Sequence, residues 1–402
     1  MRFEINKEET LVVSEINDRN GIKIIAHYLP QFHCIPENDK WWGKDFTEWT
    51  NTKKAKPLFD HHYQPRVPYN NFYYNLLDDD VKIWQAETAK KYGIFGFCYY
   101  HYWFKGGKKL LERPAEQMLK NKNVDIPFCF CWANENWTRN WDGGNREIIA
   151  EQDYGAQSEW IEHLDYLIKF FNDSRYITYD GAPLFLIYKP ELIPMLNRML
   201  EFWQIKIKEY GFKKICFAIQ SGTWYFSPFY DNSRFDFQLR FEPSFSNTYR
   251  LKNFYKLAFY RKIYSCLRII GFSVIFRYLY LQLGAKKNAK SNSELSIYNY
   301  DDIWNEIIHL PVDNKTVLGG FVDWDNTARN IHGFIYQEAT PEKFGRYMTQ
   351  LINKAKATGN KMVFINAWNE WAESAYLEPD EKFKFGYLEN LSKALKTINN
   401  QE

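Results

Sequence analysis

Eight short runs of apolar, β-branched and aromatic residues recur along the chain, and most are separated by polar stretches with helical periodicity. In order they are KIIAHYLPQF (23–32), IFGFCYYHYW (94–103), PFCFCWANEN (127–136), PLFLIYKP (183–190), ICFAIQSG (215–222), FDFQLRFEP (235–243), VLGGFVDWDN (317–326) and MVFINAWNEW (362–371). Several are almost continuously apolar, where a strand with one wet face would alternate. This is the pattern of parallel strands covered by helices. The intervening stretches supply those helices. DDDVKIWQAETAKKYG opens with acid, closes with a Lys pair and stops at Gly93. SEWIEHLDYLIKFFND repeats apolar residues at Trp160, Ile161, Leu164, Leu167, Ile168 and Phe171, and TPEKFGRYMTQLINKAKATGNK runs from Thr340 and Pro341 to Gly359. Eight such alternations predict a (β/α)8 TIM barrel. An open Rossmann-like sheet is the second reading. It would want a Gly-rich turn after the first strand, where HYLPQFHCIPEN stands instead. The expected organisation is an N-terminal extension (1–22) and a barrel (23–402), with an insertion at 246–300 after the sixth strand.

In such a barrel the site forms where the strands end. At those ends the sequence places His27, Gln31 and His33; Tyr100, His101 and Trp103; Trp132, Asn134, Glu135 and Asn136; Tyr188, Gln220 and Ser221; Arg240 and Glu242; Asp323, Trp324 and Asp325; and Asn369, Glu370, Trp371 and Glu373. Any one of them reads as an ordinary loop residue. Together they predict a polar pocket walled by aromatic rings.

Composition sharpens that picture. Aromatic residues make up 19% of the 402, more than a core of this size requires, and aromatic surfaces stack on the apolar faces of sugars. The net charge of +3 implies no polyanionic partner. Four of the six cysteines sit in apolar runs, and Cys129 and Cys131 lack a second pair at zinc spacing, so no metal site is expected. The first residues show no signal-peptide pattern and no stretch is long enough to span a membrane, which predicts a cytoplasmic protein.

Glu370 and Glu373 lie three apart just beyond the eighth run. Cleavage of a glycosidic bond needs one carboxylic acid to protonate the leaving oxygen and a second carboxylate as base or nucleophile. Close carboxylates raise one another's pKa, which keeps one protonated. A salt-bridged loop pair is the plain alternative. Glu378, before Pro379, is a secondary candidate, and His61 and His62 read as part of a surface loop beside the pocket.

Four segments carry a resemblance: 28–65 (YLPQFHCIPENDKWWGKDFTEWTNTKKAKPLFDHHYQP), 97–114 (FCYYHYWFKGGKKLLERP), 132–143 (WANENWTRNWDG) and 366–380 (NAWNEWAESAYLEPD). They resemble the WbsX-type family of bacterial lipopolysaccharide and capsule biosynthesis, described as glycosyltransferase-like or glycoside hydrolase family 99-like. More distantly the chain is similar to endo-α-mannosidases, which are (β/α)8 barrels with an Asn-Glu-Trp-x-Glu motif ending strand eight. Asn369, Glu370, Trp371 and Glu373 match that motif. The resemblance implies a retaining mechanism in which Glu370 takes a proton from the substrate 2-hydroxyl. That hydroxyl attacks C1 to give an epoxide-like anhydro sugar, with Glu373 as general acid and then base. Where the mannosidases usually carry His or Gly, this chain has Ala372, so mannose is not implied as the sugar. No cofactor is implied.

The segment 247–290 breaks the barrel rhythm with ten Lys or Arg and no Asp or Glu, interleaved with Ile, Phe, Leu and Tyr. Two readings stay open: a helical lid over the barrel mouth, or an amphipathic element on an anionic membrane at the inner face of the plasma membrane. No motif supports nucleic acid as a partner. The expected partner is an oligosaccharide or polysaccharide, lipid-linked if the membrane reading holds. Two other functions compete with a two-Glu glycosidase or transglycosylase: a nucleotide-sugar glycosyltransferase, and a non-catalytic glycan-binding barrel.

Overall fold

A computed structural model describes residues 21–138, 148–222, 232–250 and 295–399. Its centre is a closed barrel of eight parallel strands: β1 (Lys23–Tyr28), β2 (Gly96–Trp103), β3 (Phe128–Trp132), β4 (Ala182–Ile187), β5 (Cys216–Ser221), β6 (Phe237–Arg240), β7 (Thr316–Phe321) and β8 (Met362–Asn366). Each pairs with its neighbours in sequence, and β8 returns to β1 with Lys23 opposite Met362 and Ala26 opposite Ile365. This is the (β/α)8 barrel that the eight runs predict. Most strands are shorter than their runs because the polar tail leaves the sheet at the C-terminal rim, where a barrel carries its loops; β2 instead runs to Trp103, the end of its run.

Helices cover the outside: α1 (Pro36–Trp42), α2 (Glu48–Lys54), α3 (Asp79–Lys91), α4 (Arg113–Lys120), α5 (Gln157–Phe171), α6 (Leu196–Lys206), α7 (Ser244–Arg250), α8 (Tyr300–His309), α9 (Pro341–Ala357) and α10 (Gly386–Asn399). Their ends follow from local chemistry. Asp78 accepts a bond from the Asp80 amide at the head of α3, and Thr340 accepts one from the Lys343 amide at the head of α9. Phe344, Met348, Leu351 and Ile352 make the buried face of α9, at helical spacing. β3, sequence FCFCW, is buried throughout, as a strand packed on both faces must be. One glycine is dictated by close approach: a Cβ on Gly319 of β7 would stand 1.9 Å from the Arg240 carbonyl oxygen on β6.

The expected N-terminal extension falls almost wholly outside the described residues, and so does most of the basic insertion. What is described beside the insertion is α7 and a short strand, Ser296–Asn299, paired in parallel with Phe334–Gln337. Among the described residues no helix is long and apolar enough to cross a membrane.

Candidate active site

The chain leaves β8 and folds back as a small hairpin, Asn369–Glu370 against Ala375–Tyr376, around a tight turn at Trp371–Glu373. Ser374 closes the turn in the left-handed region, φ 58°. Two side chains pin the hairpin. The Asn369 amide clamps the backbone of Leu29: its Oδ1 accepts from Leu29 N at 2.8 Å and its Nδ2 donates to Leu29 O at 3.0 Å. Trp371 donates its indole N–H to Glu378 at 2.6 Å and stacks on Tyr376 with centroids 3.8 Å apart. With Asn369 and Trp371 committed to the wall, Glu370 and Glu373 line the cleft.

Both glutamates meet one arginine. Arg329 Nη1 lies 2.5 Å from Glu373 Oε1, and Nη2 lies 3.3 Å from Glu370 Oε2 and 3.0 Å from Glu48 Oε2. Arg329 Nε adds a second bond to Glu48 at 3.2 Å. The loop carrying Arg329 is fixed by Asp325, which accepts from Thr327 N, Gln64 Nε2 and the His62 ring, while Asp325 N donates to the Glu373 carbonyl. Glu48 arrives at the start of α2, its amide bonded to the Gln31 carbonyl. Three carboxylates thus share one guanidinium in a site where Glu48 and Glu370 are almost wholly buried. Burial is the main force raising the Glu370 pKa above the usual carboxylate range. The neighbouring Glu373 charge raises it further, and Arg329 opposes both. Glu373 is raised too, again chiefly by burial against the pull of Arg329. A guanidinium can balance one carboxylate, not three, so Glu370 and Glu373 together retain a proton into the neutral range.

The cleft above them is walled by Tyr100, Tyr102, Phe104, Trp137, Tyr188, Phe241 and Trp324, with Glu135 on one side. Lys189 is ion-paired to Glu135. The Asn134 side chain holds the Lys189 backbone from both ends, accepting from its N–H and donating to its carbonyl at 2.7 Å each.

Of the residues proposed from sequence, Glu370, Glu373, Tyr100, Glu135, Asn136, Tyr188 and Trp324 line this cleft. Others support it from beneath or behind. His27 is buried in the barrel interior, stacked on Tyr100 at 5.6 Å, and neither ring nitrogen has a partner among the described residues. Burial pushes its pKa down to about 3, so it sits there neutral. Gln31 is buried, and its carbonyl receives the Glu48 amide. Asp323 binds Arg66 at 2.8 Å, Glu242 accepts from the Ser246 backbone and hydroxyl, and Arg240 reaches the Pro311 carbonyl. His101 and Trp103 point outward to His163 on α5, and Trp132 donates to the Trp103 carbonyl beside them. Glu378 is buried, receiving Tyr74, Gln85 and Trp371. His61 is exposed, as a surface loop requires; His62 is buried against Asp325.

Sequence reasoning did not single out Arg329, Glu48, Tyr102 or Trp137. For Tyr102 the signal was available: it shares strand parity with Tyr100, whereas His101 and Trp103 face the other way. A buried glutamate at the head of an amphipathic helix marks Glu48 only in retrospect. Nothing local distinguishes Arg329.

The family profile described as "Glycosyltransferase WbsX" matches residues 24–391. The chain belongs to this family. It is 32% identical over 379 residues to the "Uncharacterized protein WxcX" of Xanthomonas campestris pv. campestris, in each of two strains, covering 92% of this chain and 49% of that protein. The chain therefore spans about half the length of the curated relatives it matches. Among solved structures, this WbsX-family barrel is similar to the GH99 endo-alpha-mannosidase from Bacteroides thetaiotaomicron. The TM-score is 0.51 at 12% identity, over 94% of this chain and 98% of that one. It is also similar to a "Glycoside hydrolase-like protein", TM-score 0.51 at 14% identity, over 93% and 94%. At these identities the likeness concerns the fold.

Proposed function

We propose that this chain is a carbohydrate-active enzyme that cleaves or transfers glycosidic bonds with retention, using Glu370 and Glu373, in the assembly of a bacterial surface polysaccharide. The observation that carries the reading is the bridging of both glutamates by Arg329 in an aromatic-walled cleft. Burial, working against the pull of Arg329, leaves such a pair holding one proton between two carboxylates, the state an acid and a base need before the first step.

In the proposed cycle the shared proton, favoured on the more buried Glu370 before substrate binds (8% of its side chain accessible against 21% for Glu373), passes to Glu373 as the glycan enters the cleft. Glu373 gives that proton to the leaving oxygen. Glu370, desolvated and therefore a stronger base than an ordinary carboxylate, takes the proton of the sugar 2-hydroxyl as that oxygen closes on C1 and the C1–leaving-group bond breaks. Glu373 then removes a proton from water or an acceptor hydroxyl, which attacks C1 and reopens the anhydro sugar, while Glu370 returns its proton to the 2-oxygen. Arg329 and Glu48 act as positioning groups.

The description of the family favours a second reading, a nucleotide-sugar glycosyltransferase. Among the described residues charge weighs against it: Glu48, Glu135, Glu370 and Glu373 stand at or behind the cleft against Arg329 and Lys189, a poor setting for a diphosphate. The test is incubation with α-mannan oligosaccharides and a panel of bacterial surface polysaccharides, with and without nucleotide sugars. Cleavage or transfer without a nucleotide donor is expected; turnover that appears only when a nucleotide sugar is added overturns the reading.

A further inference from the structure

A second cavity lies at the same rim of the barrel and shares Phe104 with the main cleft. The walls come from the ends of β2 and β3, the loop before α5, and α5 itself.

Two features distinguish it from a packing defect. Part of its wall is bare backbone, because the chain there takes a conformation that favours glycine. Gly106, Gly107 and Gly155 all line the cavity with left-handed φ of 63°, 74° and 53°. A Cβ on Gly107 would meet the Trp103 ring at 3.4 Å, and one on Gly155 would stand 2.8 Å from Glu159. The remaining lining combines aromatic carbon with polar atoms. Trp132 and Trp160 spend their indole N–H groups on the carbonyls of Trp103 and Tyr154, at 3.1 and 2.7 Å, so their rings offer carbon to the cavity. His163, 2% exposed, lies flat on Trp103 with centroids 4.5 Å apart and planes 5° apart. Its Nε2 is 2.8 Å from Nε2 of His101, a contact that needs one donor and one acceptor. The accepting ring must be neutral, and burial lowers the pKa of both. Nδ1 is the nitrogen of His163 left unengaged by that pair. Asp153, Glu159 and Lys105 add charged groups to the lining.

Apolar ring carbon beside a few fixed polar groups suits a pyranose, which presents a C–H face and a rim of hydroxyls. We propose that this cavity is an accessory subsite taking one pyranose unit of a glycan, an inference that rests on reading the main cleft as a glycan site.

The experiment is ¹⁹F NMR of the full chain labelled with 5-fluorotryptophan, titrated with a panel of methyl pyranosides (gluco, manno, galacto and their N-acetylamino forms). Trp103, Trp132 and Trp160 report the second cavity, and Trp137 and Trp324 report the main cleft. The expected result is that at least one sugar shifts the first group along its own saturation curve. His163→Phe is then expected to weaken that curve fivefold or more while the Trp324 curve moves less than twofold. Asp153→Ala, at the exposed rim, gives the same comparison if loss of the His101 contact prevents His163→Phe from folding. Shifts confined to Trp137 and Trp324 overturn the accessory subsite and leave the main-cleft reading standing. Shifts confined to the first group support the subsite while counting against the main cleft as the glycan site. Silence at all five tryptophans across the panel overturns both.

Discussion

Replacing Arg329 by Met tests the charge arrangement at the heart of the site. Arg329 is 8% exposed at its side chain, and its partners Glu48, Glu370 and Glu373 are 1, 8 and 21% exposed at theirs. Removing the cation leaves three poorly solvated carboxylates without a counter-charge. Breaking a buried ion pair from one side costs about 3–5 kcal/mol. The three contacts do not add, because the variant also avoids burying the guanidinium. The loss must depend on pH in a definite direction. Without Arg329 the folded-state pKa values of Glu370 and Glu373 rise further above the unfolded value, 4.5 for glutamate. A group raised on folding contributes stability that is fully present below its unfolded pKa and is lost as pH rises through its folded pKa. The variant is therefore expected to lose about 3–5 kcal/mol against wild type at pH 8 and clearly less at pH 5. Urea unfolding of both proteins at the two pH values measures this. An equal deficit at pH 5 and pH 8 would refute the argument, because it would mean that Arg329 contributes packing and not charge.

Three further outcomes are expected. Glu378, raised to about 7 chiefly by burial, contributes stability present below 4.5 and lost as pH climbs through 7. Over that interval of 2.5 units the contribution amounts to about 3 kcal/mol, so Glu378→Gln should flatten the decline of stability with pH, whatever its effect on the baseline. Gly319→Ala would drive a Cβ to 1.9 Å from the Arg240 carbonyl, and a loss of roughly 3 kcal/mol or more, read from the urea midpoint, is expected of an overpacked strand pair. Asn369→Ala leaves the buried Leu29 N–H and C=O without their partner, at about 1–3 kcal/mol for each group. Turnover should fall with it, because the same amide positions the turn bearing both glutamates; an unchanged rate would separate Asn369 from the site.

Legibility in the sequence follows the range of the interaction. The eight strands are visible because each is a local run, near-continuously apolar where helices cover it, as in FCFCW of β3. Glu370 and Glu373 are visible because one turn carries both. Strand parity was legible too, yet His101 and Trp103 were read with Tyr100 as pocket residues when alternation sends them outward to His163. Asn369 and Trp371 sit in the right motif, where they clamp Leu29 and Glu378 and so hold the turn. Arg329 and Glu48 could not be read from the sequence. Arg329 lies 281 positions from Glu48 and 41 from Glu370, and only closure of the barrel brings the three together.

The measurement that bears most directly on the central claim is turnover of Glu370→Gln and Glu373→Gln on a glycan substrate and on the glycosyl fluoride of the same sugar. A fluoride leaves without protonation, so it does not need a general acid. The account predicts that both variants lose about 10²–10⁴-fold on the glycan. On the fluoride, Glu373→Gln should recover most of its first-step rate while Glu370→Gln stays inactive. Recovery of Glu370→Gln instead would exchange the two roles, and near wild-type turnover of either variant on the glycan would contradict a two-glutamate mechanism at this turn.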